Sequence, residues 1–258
     1  MPPTSQDYAR TQYATPARLN TRISIHEKYS VNRQGFGPWI LEQYDLRSGM
    51  RVLELGCGTG SMWQGRLDRL GPGTTLLLSD CSPGMVAAAR EALGAHPQVS
   101  YAEIDIQDIP FPAASFDAVI ANMMLYHVPD LPRALTEVRR VLRPGGKFYC
   151  ATYGEHGMID YLSGLLPGLL PADAIGKAFT LQNGAEKLRG CFDQVERRDY
   201  PDALRVTDLD DLLDYLASLQ SLRGLSPEDR ERLRAALAAH MRDGALTIPK
   251  EYGLFICA

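Results

Sequence analysis

"RVLELGCGTG", residues 51–60, sets Gly56, Gly58 and Gly60 directly behind an apolar run suited to a buried strand. A glycine-rich turn after a strand is needed where a large ligand must approach the main chain more closely than a Cβ permits. The spacing weakens one common reading and excludes another. A dinucleotide turn of the form Gly-x-Gly-x-x-Gly would put its third glycine at position 61, which is Ser61. A phosphate-cradling loop would end in Gly-Lys-Ser/Thr, and here Ser61, Met62 and Trp63 follow Gly60 without a lysine. What remains is a tight turn beside an acidic strand end, Glu54, which points to a cation.

Around this turn, β-branched-rich apolar stretches recur at Arg51–Leu55, Thr74–Asp80, Val99–Asp105, Phe116–Asn122 and Lys147–Tyr153. Helical or turn segments separate them, and such alternation predicts a parallel sheet covered on both faces. Ser82 and Pro83 open one helix as N-cap and first residue, with Met85, Val86, Ala89 and Leu93 as its apolar stripe. A second helix over Leu131–Leu142 is expected to stop at "RPGG", residues 143–146. Beyond residue 154 a Gly-, Pro- and Leu-rich stretch reads as a helical insertion over a pocket. "DQVERRDYPDAL" then predicts a strand, two helices follow, capped by Thr207 and by Ser226, and "YGLFICA" predicts the last strand. The expected divisions are a helical lid over 1–46, a core over 47–154, an insertion over 155–190 and a C-terminal part over 191–258.

With 258 residues, 45% of them hydrophobic, and a net charge of −4, the chain can bury a substantial core and carries no excess of basic charge. Its five cysteines are odd in number and contain no Cys-x-x-Cys pair, so neither a disulfide framework nor a zinc cage is expected, and no metal site. Reduced cytosol is the expected compartment. The N-terminus has no secretory pattern and no apolar run reaches spanning length, so no membrane association is expected.

"ELGCGTG" at 54–60 resembles the class I S-adenosylmethionine-dependent methyltransferases, of the small-molecule type with a core like that of the ubiquinone/menaquinone methyltransferases. "LLLSDCSPGM", "AEIDIQDIPFPAASFDAVIAN" and "LYHVPDLPRALTEVRRVLRPGGKFY" extend the likeness in order over residues 50–154. The resemblance implies an α/β fold with a doubly wound, seven-stranded Rossmann-like sheet, and S-adenosyl-L-methionine as cofactor, leaving S-adenosyl-L-homocysteine as product. It fits the cation reading, because that ligand combines a sulfonium, an ammonium, a carboxylate and a ribosyl adenine. Glu54 would serve the amino end, and the turn Gly56–Gly60 would pass the methionine and ribose portions. Asp80, twenty residues after Gly60, would take both ribose hydroxyls. The resemblance also places Asp105 on the adenine amino group, Ile106 on the ring and Asn122 near the ammonium. Cys57, Cys81, Met85 and Gln107 complete the expected cofactor surface, the thiols through packing and backbone contacts.

His127 and Tyr126, in "MLYHVPD", are the candidate catalytic residues. His127 either deprotonates the acceptor or braces the turn after the fourth strand, and bracing is the preferred reading. Tyr126 and Met123 read as pocket lining. His26 and Tyr29 either close over the methionine end or pack. The expected function is methyl transfer to O or N of a small-molecule acceptor, by a monomer or homodimer. Two alternatives stand beside it: an RNA or tRNA methyltransferase and a non-catalytic S-adenosylmethionine binder. Nucleic acid is disfavoured by the acidic balance, with Arg10, Arg18, Arg22, Lys28 and Arg33 the one basic group in its favour.

Overall fold

The computed structural model describes residues 17–170, 177–219 and 226–258. Arg10, the side chains of Arg18 and Arg22, and residues 171–176 of the expected insertion lie outside what it describes. Two helices, α1 (Ala17–Tyr29) and α2 (Phe36–Gln43), precede β1 (Arg51–Leu55), β2 (Thr75–Asp80), α3 (Pro83–Leu93), β3 (Val99–Glu103) and β4 (Phe116–Ile120). Then come α4 (Leu131–Val141), β5 (Leu142–Tyr153), α5 (Met158–Leu165), α6 (Gly184–Leu188), β6 (Val195–Val206), α7 (Leu209–Ser218), α8 (Pro227–Ala238) and β7 (Leu246–Cys257).

The seven strands form one sheet in the order β3-β2-β1-β4-β5-β7-β6. The first five run parallel, whereas β7 is antiparallel to both β5 and β6, so the sheet is mixed at one end. Strand order reverses between β1 and β4, and the crevice outside the carboxyl ends of those strands is where open α/β sheets take ligands. Alternation along the strands sorts the core: Leu53, Leu55, Val119, Phe148 and Cys150 pack on one face, and Val52, Leu76, Leu78, Ala118, Ile120 and Tyr149 on the other. A third cluster gathers α1, α5, α7 and α8 on the far ends of β6 and β7 through Ile25, Leu162, Leu204, Leu212, Leu216, Leu237 and Ile248.

Local chemistry explains the starts. The Ser82 hydroxyl accepts from the N–H of Met85, with Pro83 at the first helical position, and Ser226 caps α8 in the same way through Asp229. At α7 the cap is Asp208, not Thr207: the Asp208 carboxylate accepts from the N–H of Asp210, while Thr207 is hydrogen-bonded to the Tyr29 hydroxyl. The "RPGG" breaker is also placed differently from expectation. Helix α4 ends at Val141 and β5 begins at once, absorbing Pro144, Gly145 and Gly146 as an irregularity in its pairing with β4. Gly145 adopts φ +76°, and a Cβ on Gly146 would lie 2.9 Å from the Asp117 carbonyl oxygen, so the breakers bend a strand edge and leave it continuous. Strands β3 and β4 stop before Asp105 and Asn122, leaving both in the loops just beyond the sheet.

Candidate active site

Gly56, Gly58 and Gly60 all adopt left-handed backbone, at φ +71°, +56° and +71°. An L side chain pays about 1–2 kcal/mol for this conformation, so the three glycines are required by the path of the turn itself. A Cβ on Gly56 would fall 2.8 Å from Met124 Cγ, and one on Gly60 3.0 Å from Leu93 Cδ1 of α3. The turn thus lies flat between the loop after β4 and the first helix beyond β2.

Acidic groups surround it. The N–H of Gly58 donates to Asp80 Oδ2 at 3.1 Å and the N–H of Ser82 to Asp80 Oδ1 at 2.9 Å, so Asp80 joins the glycine turn to the start of α3. Burial raises the Asp80 carboxyl above its usual range against the pull of those two bonds. Glu54 is 3% exposed, and its Oε2 accepts from Trp63 Nε1 at 2.5 Å. Burial, together with the charge of Asp80, pushes Glu54 up to about 7 in spite of the Trp63 bond. Two carboxylates that repel each other in a dry crevice form a place where a cation relieves both.

Asn122 approaches the same place from β4. Its Nδ2 donates to the Tyr44 hydroxyl at 2.6 Å, while its Oδ1 is buried without a hydrogen-bond partner. The Tyr44 phenol is itself raised by burial and by Glu54, which puts Tyr44, Asn122 and Glu54 in one neighbourhood. Asp105 sits one strand further out, where the Asp80 carbonyl accepts from the N–H of Ile104 at 3.1 Å. Asp105 Oδ1 accepts from the N–H of Gln107 at 2.9 Å and from its Nε2 at 3.1 Å, and Gln107 Oε1 accepts from the N–H of Asp130 at 3.0 Å. Gln107 therefore ties the loop after β3 to the start of α4. Ile106 and Met85 are buried beside these loops.

Cys57 is buried, with its N–H on the Ser79 carbonyl at 2.8 Å, and burial plus the nearby Glu54 and Asp80 raise its thiol strongly. Cys81 is hydrogen-bonded to Asp80. A protonated, enclosed thiol is packing and not a nucleophile. Tyr126 and His127 form a one-turn 3-10 helix with Leu125, capped by Met124 and preceded by Met123, whose φ of +53° marks strain in the backbone leaving β4. The Tyr126 ring lies 4.5 Å, centroid to centroid, from both His127 and Tyr153. Tyr29 is held elsewhere: its hydroxyl is on Asp211 Oδ2 at 2.5 Å, and it packs with the cluster of α1, α5, α7 and α8.

Three participants escape the sequence reading. Trp63 orients Glu54, Tyr44 orients Asn122, and Met124 covers Gly56. Trp63 follows the turn closely enough to have been suspected; Tyr44 comes from a separate segment, and no local pattern marks it. Among the described residues no group of three or more His, Cys, Asp or Glu side chains is arranged to hold a metal ion, and no helix is long and apolar enough to cross a membrane.

The geometry fits a ligand with a cationic amino-acid end and a hydroxylated, adenine-bearing end. The left-handed turn leaves the close approach open, Asn122 Oδ1 is an unused acceptor, and among the described residues no cationic side chain pairs with Glu54 or Asp80. Comparison with known proteins agrees. Residues 53–150 match the model of the methyltransferase domain family. A demethylmenaquinone methyltransferase from Symbiobacterium thermophilum is 31% identical over 137 residues, covering 49% of this chain and 55% of that protein. The chain spans about half the length of the curated relatives it matches. The crystal structure of the [4+2]-cyclase SpnF superposes with a TM-score of 0.63 at 22% identity, covering 98% of this chain and 96% of that one. Phosphoethanolamine N-methyltransferase 2 of Haemonchus contortus, in complex with S-adenosyl-L-methionine, gives 0.62 at 19% identity over 99% of this chain and 60% of that one. Both structures share the fold. The similarity is to the methyltransferase domain family, and it lies in residues 53–150, which hold the glycine turn and the strand-end acids.

Proposed function

We propose that this chain transfers a methyl group from S-adenosylmethionine to an oxygen or nitrogen of a small-molecule acceptor. The observation that carries this reading is the convergence of Glu54, Asp80 and the partnerless Asn122 Oδ1 on a turn of three left-handed glycines. S-adenosylmethionine supplies a methyl already activated on a sulfonium, open to direct displacement. The protein's tasks are then to hold, align and exclude water.

In this reading Glu54 and Asn122 Oδ1 hold the amino-acid end, and Gly56–Gly60 give it main-chain contact. Asp80 holds the ribose hydroxyls through the lone pairs that Gly58 and Ser82 leave free. Asp105, with Gln107, holds the adenine end beside Ile106, and Met85, Cys57 and Cys81 wall the pocket. His127 braces the loop after β4 through its imidazole, which packs 4.5 Å from the Tyr126 ring, and Tyr126 lines the acceptor side. A small-molecule acceptor is favoured over RNA by the net charge of −4. The test is incubation with methyl-labelled S-adenosylmethionine and fractionated cell extract. Label in the small-molecule fraction is expected, and label confined to RNA would overturn the choice of acceptor.

A further inference from the structure

Part of the cofactor crevice is built by a segment that precedes residues 53–150, the stretch matching the methyltransferase domain family. Tyr44 directly follows α2, and its ring packs on that of Tyr149 of β5 with centroids 4.8 Å apart. The next N–H, that of Asp45, donates to the Tyr149 hydroxyl at 3.0 Å. Further back, Phe36 and Trp39 of α2 pack on Tyr200 of β6 at 5.3 Å and 5.1 Å, and Gln43 Oε1 accepts from Arg198 Nη1 at 2.8 Å. The Tyr44 phenol is therefore seated by contacts with β5 and β6 that need no ligand. Burial and the charge of Glu54 raise it well above its ordinary range, so it stays a neutral hydroxyl.

Asn122 is fixed by the same strand. The N–H groups of its neighbours, Ala121 and Met123, donate to the carbonyls of Tyr149 and Ala151, both at 2.8 Å, so β5 holds the backbone on either side of it. What remains free is rotation of the amide about its own side-chain bonds. The bond from Nδ2 to the Tyr44 hydroxyl, at 2.6 Å, takes up that freedom. Nδ2 is thereby committed to Tyr44, and Oδ1, buried and without a hydrogen-bond partner, is the atom left over. An amide turned the other way would present N–H donors where Oδ1 now stands, and donors repel an ammonium group.

We propose that Tyr44 is a positioning residue which, through Asn122, makes the crevice select ligands that carry an α-ammonium group. This deepens the S-adenosylmethionine reading and rests on it. Tyr44 acts on the ligand only by way of the amide. Removing its hydroxyl leaves the ring to pack on Tyr149 and releases the amide alone, so the cost falls on recognition of the ammonium and spares the ribose and adenine ends.

The test is calorimetric titration of the full chain with S-adenosylhomocysteine and with its analogue in which hydrogen replaces the α-amino group. The native chain is expected to prefer S-adenosylhomocysteine. Tyr44→Phe is expected to weaken S-adenosylhomocysteine about 10-fold and to bind the deaminated analogue within about 2-fold of the native affinity, which also shows that the variant is folded. A hydroxyl that only supports the fold would weaken both ligands alike. Asn122→Ala is expected to lower the preference for the amine at least as much, and adding Tyr44→Phe to it is expected to change the preference no further. Equal weakening of both ligands in Tyr44→Phe, an unchanged preference, or losses that add in the double variant would each overturn the inference. Binding of both ligands by the native chain without preference would overturn it too, with the cofactor reading intact. Failure of S-adenosylhomocysteine to bind the native chain would bring down that reading itself.

Discussion

Glu54 is under electrostatic tension at the site, because its carboxyl is buried, faces Asp80 and is held by one indole N–H. Raised from 4.5 to about 7, it favours folding fully below about pH 4.5 and loses that contribution as pH rises through about 7. Glu54→Gln keeps an oxygen for Trp63 and removes the charge. The variant is therefore expected to unfold at higher temperature than the native protein at pH 8, by up to ~3 kcal/mol of stability, with little difference at pH 4.5. Its affinity for S-adenosylmethionine should be lower and flat with pH, whereas the native affinity rises between pH 6 and 8 as Glu54 ionises. Calorimetric melting and titration across that range check both, and a native affinity that falls with rising pH would refute the role. His127 poses a sharper choice. If it braces the turn, His127→Ala weakens cofactor binding or stability with no recovery at high pH. A loss in kcat of about 100-fold or more with intact cofactor affinity, shrinking as pH rises, would show a general base instead.

Among the elements, the β1 turn and the packing of α1 onto the paired strands β6 and β7 behave differently as sequence signals. The turn was legible because its needs are local: positive φ at three positions can be met cheaply only by glycine, and an acid at each strand end follows in order. The helix over Pro83–Leu93 was legible for the same reason, through its cap and first proline. The start of β5 was not, because Pro144, Gly145 and Gly146 signal a break equally well inside a strand as between elements, and only pairing with β4 decides. Nor was the Asp202–Lys250 pair, whose members stand 48 positions apart and meet only through β6–β7 register. Burial alone would raise Asp202, but the bonds from Lys250, Ser30 and Asn32 outweigh it and hold the carboxyl low. Asp202→Ala strands a buried ammonium and frees the segment after α1, so a loss of about 3–5 kcal/mol is expected in denaturant unfolding. A loss below about 1 kcal/mol would show that α1 is held by its apolar contacts alone.

At the scale of the molecule, the fold and the cofactor class could be read in advance because they depend on one ordered set of motifs between residues 50 and 154. The packing of α1 on β6 and β7 joins opposite ends of the chain, so no local motif marks it, and methyl transfer from a sulfonium asks for few diagnostic side chains at the acceptor. Tyr29 illustrates the difference: the sequence leaves open whether it closes over the methionine end or packs, and its hydroxyl is bonded to Asp211 of α7. The central claim is that the glycine turn and its acids form a site for S-adenosylmethionine and for no other nucleotide. Isothermal titration of S-adenosylhomocysteine, NAD and ATP into the native chain and into Asp80→Ala tests it most directly. The expected result is one S-adenosylhomocysteine per chain, no comparable binding of NAD or ATP, and an affinity about 5- to 150-fold weaker in the variant, matching the loss of about 1–3 kcal/mol in charge-assisted bonds to the ribose. Tighter binding of NAD, or an unchanged S-adenosylhomocysteine affinity in an Asp80→Ala protein that merely melts earlier, would contradict it.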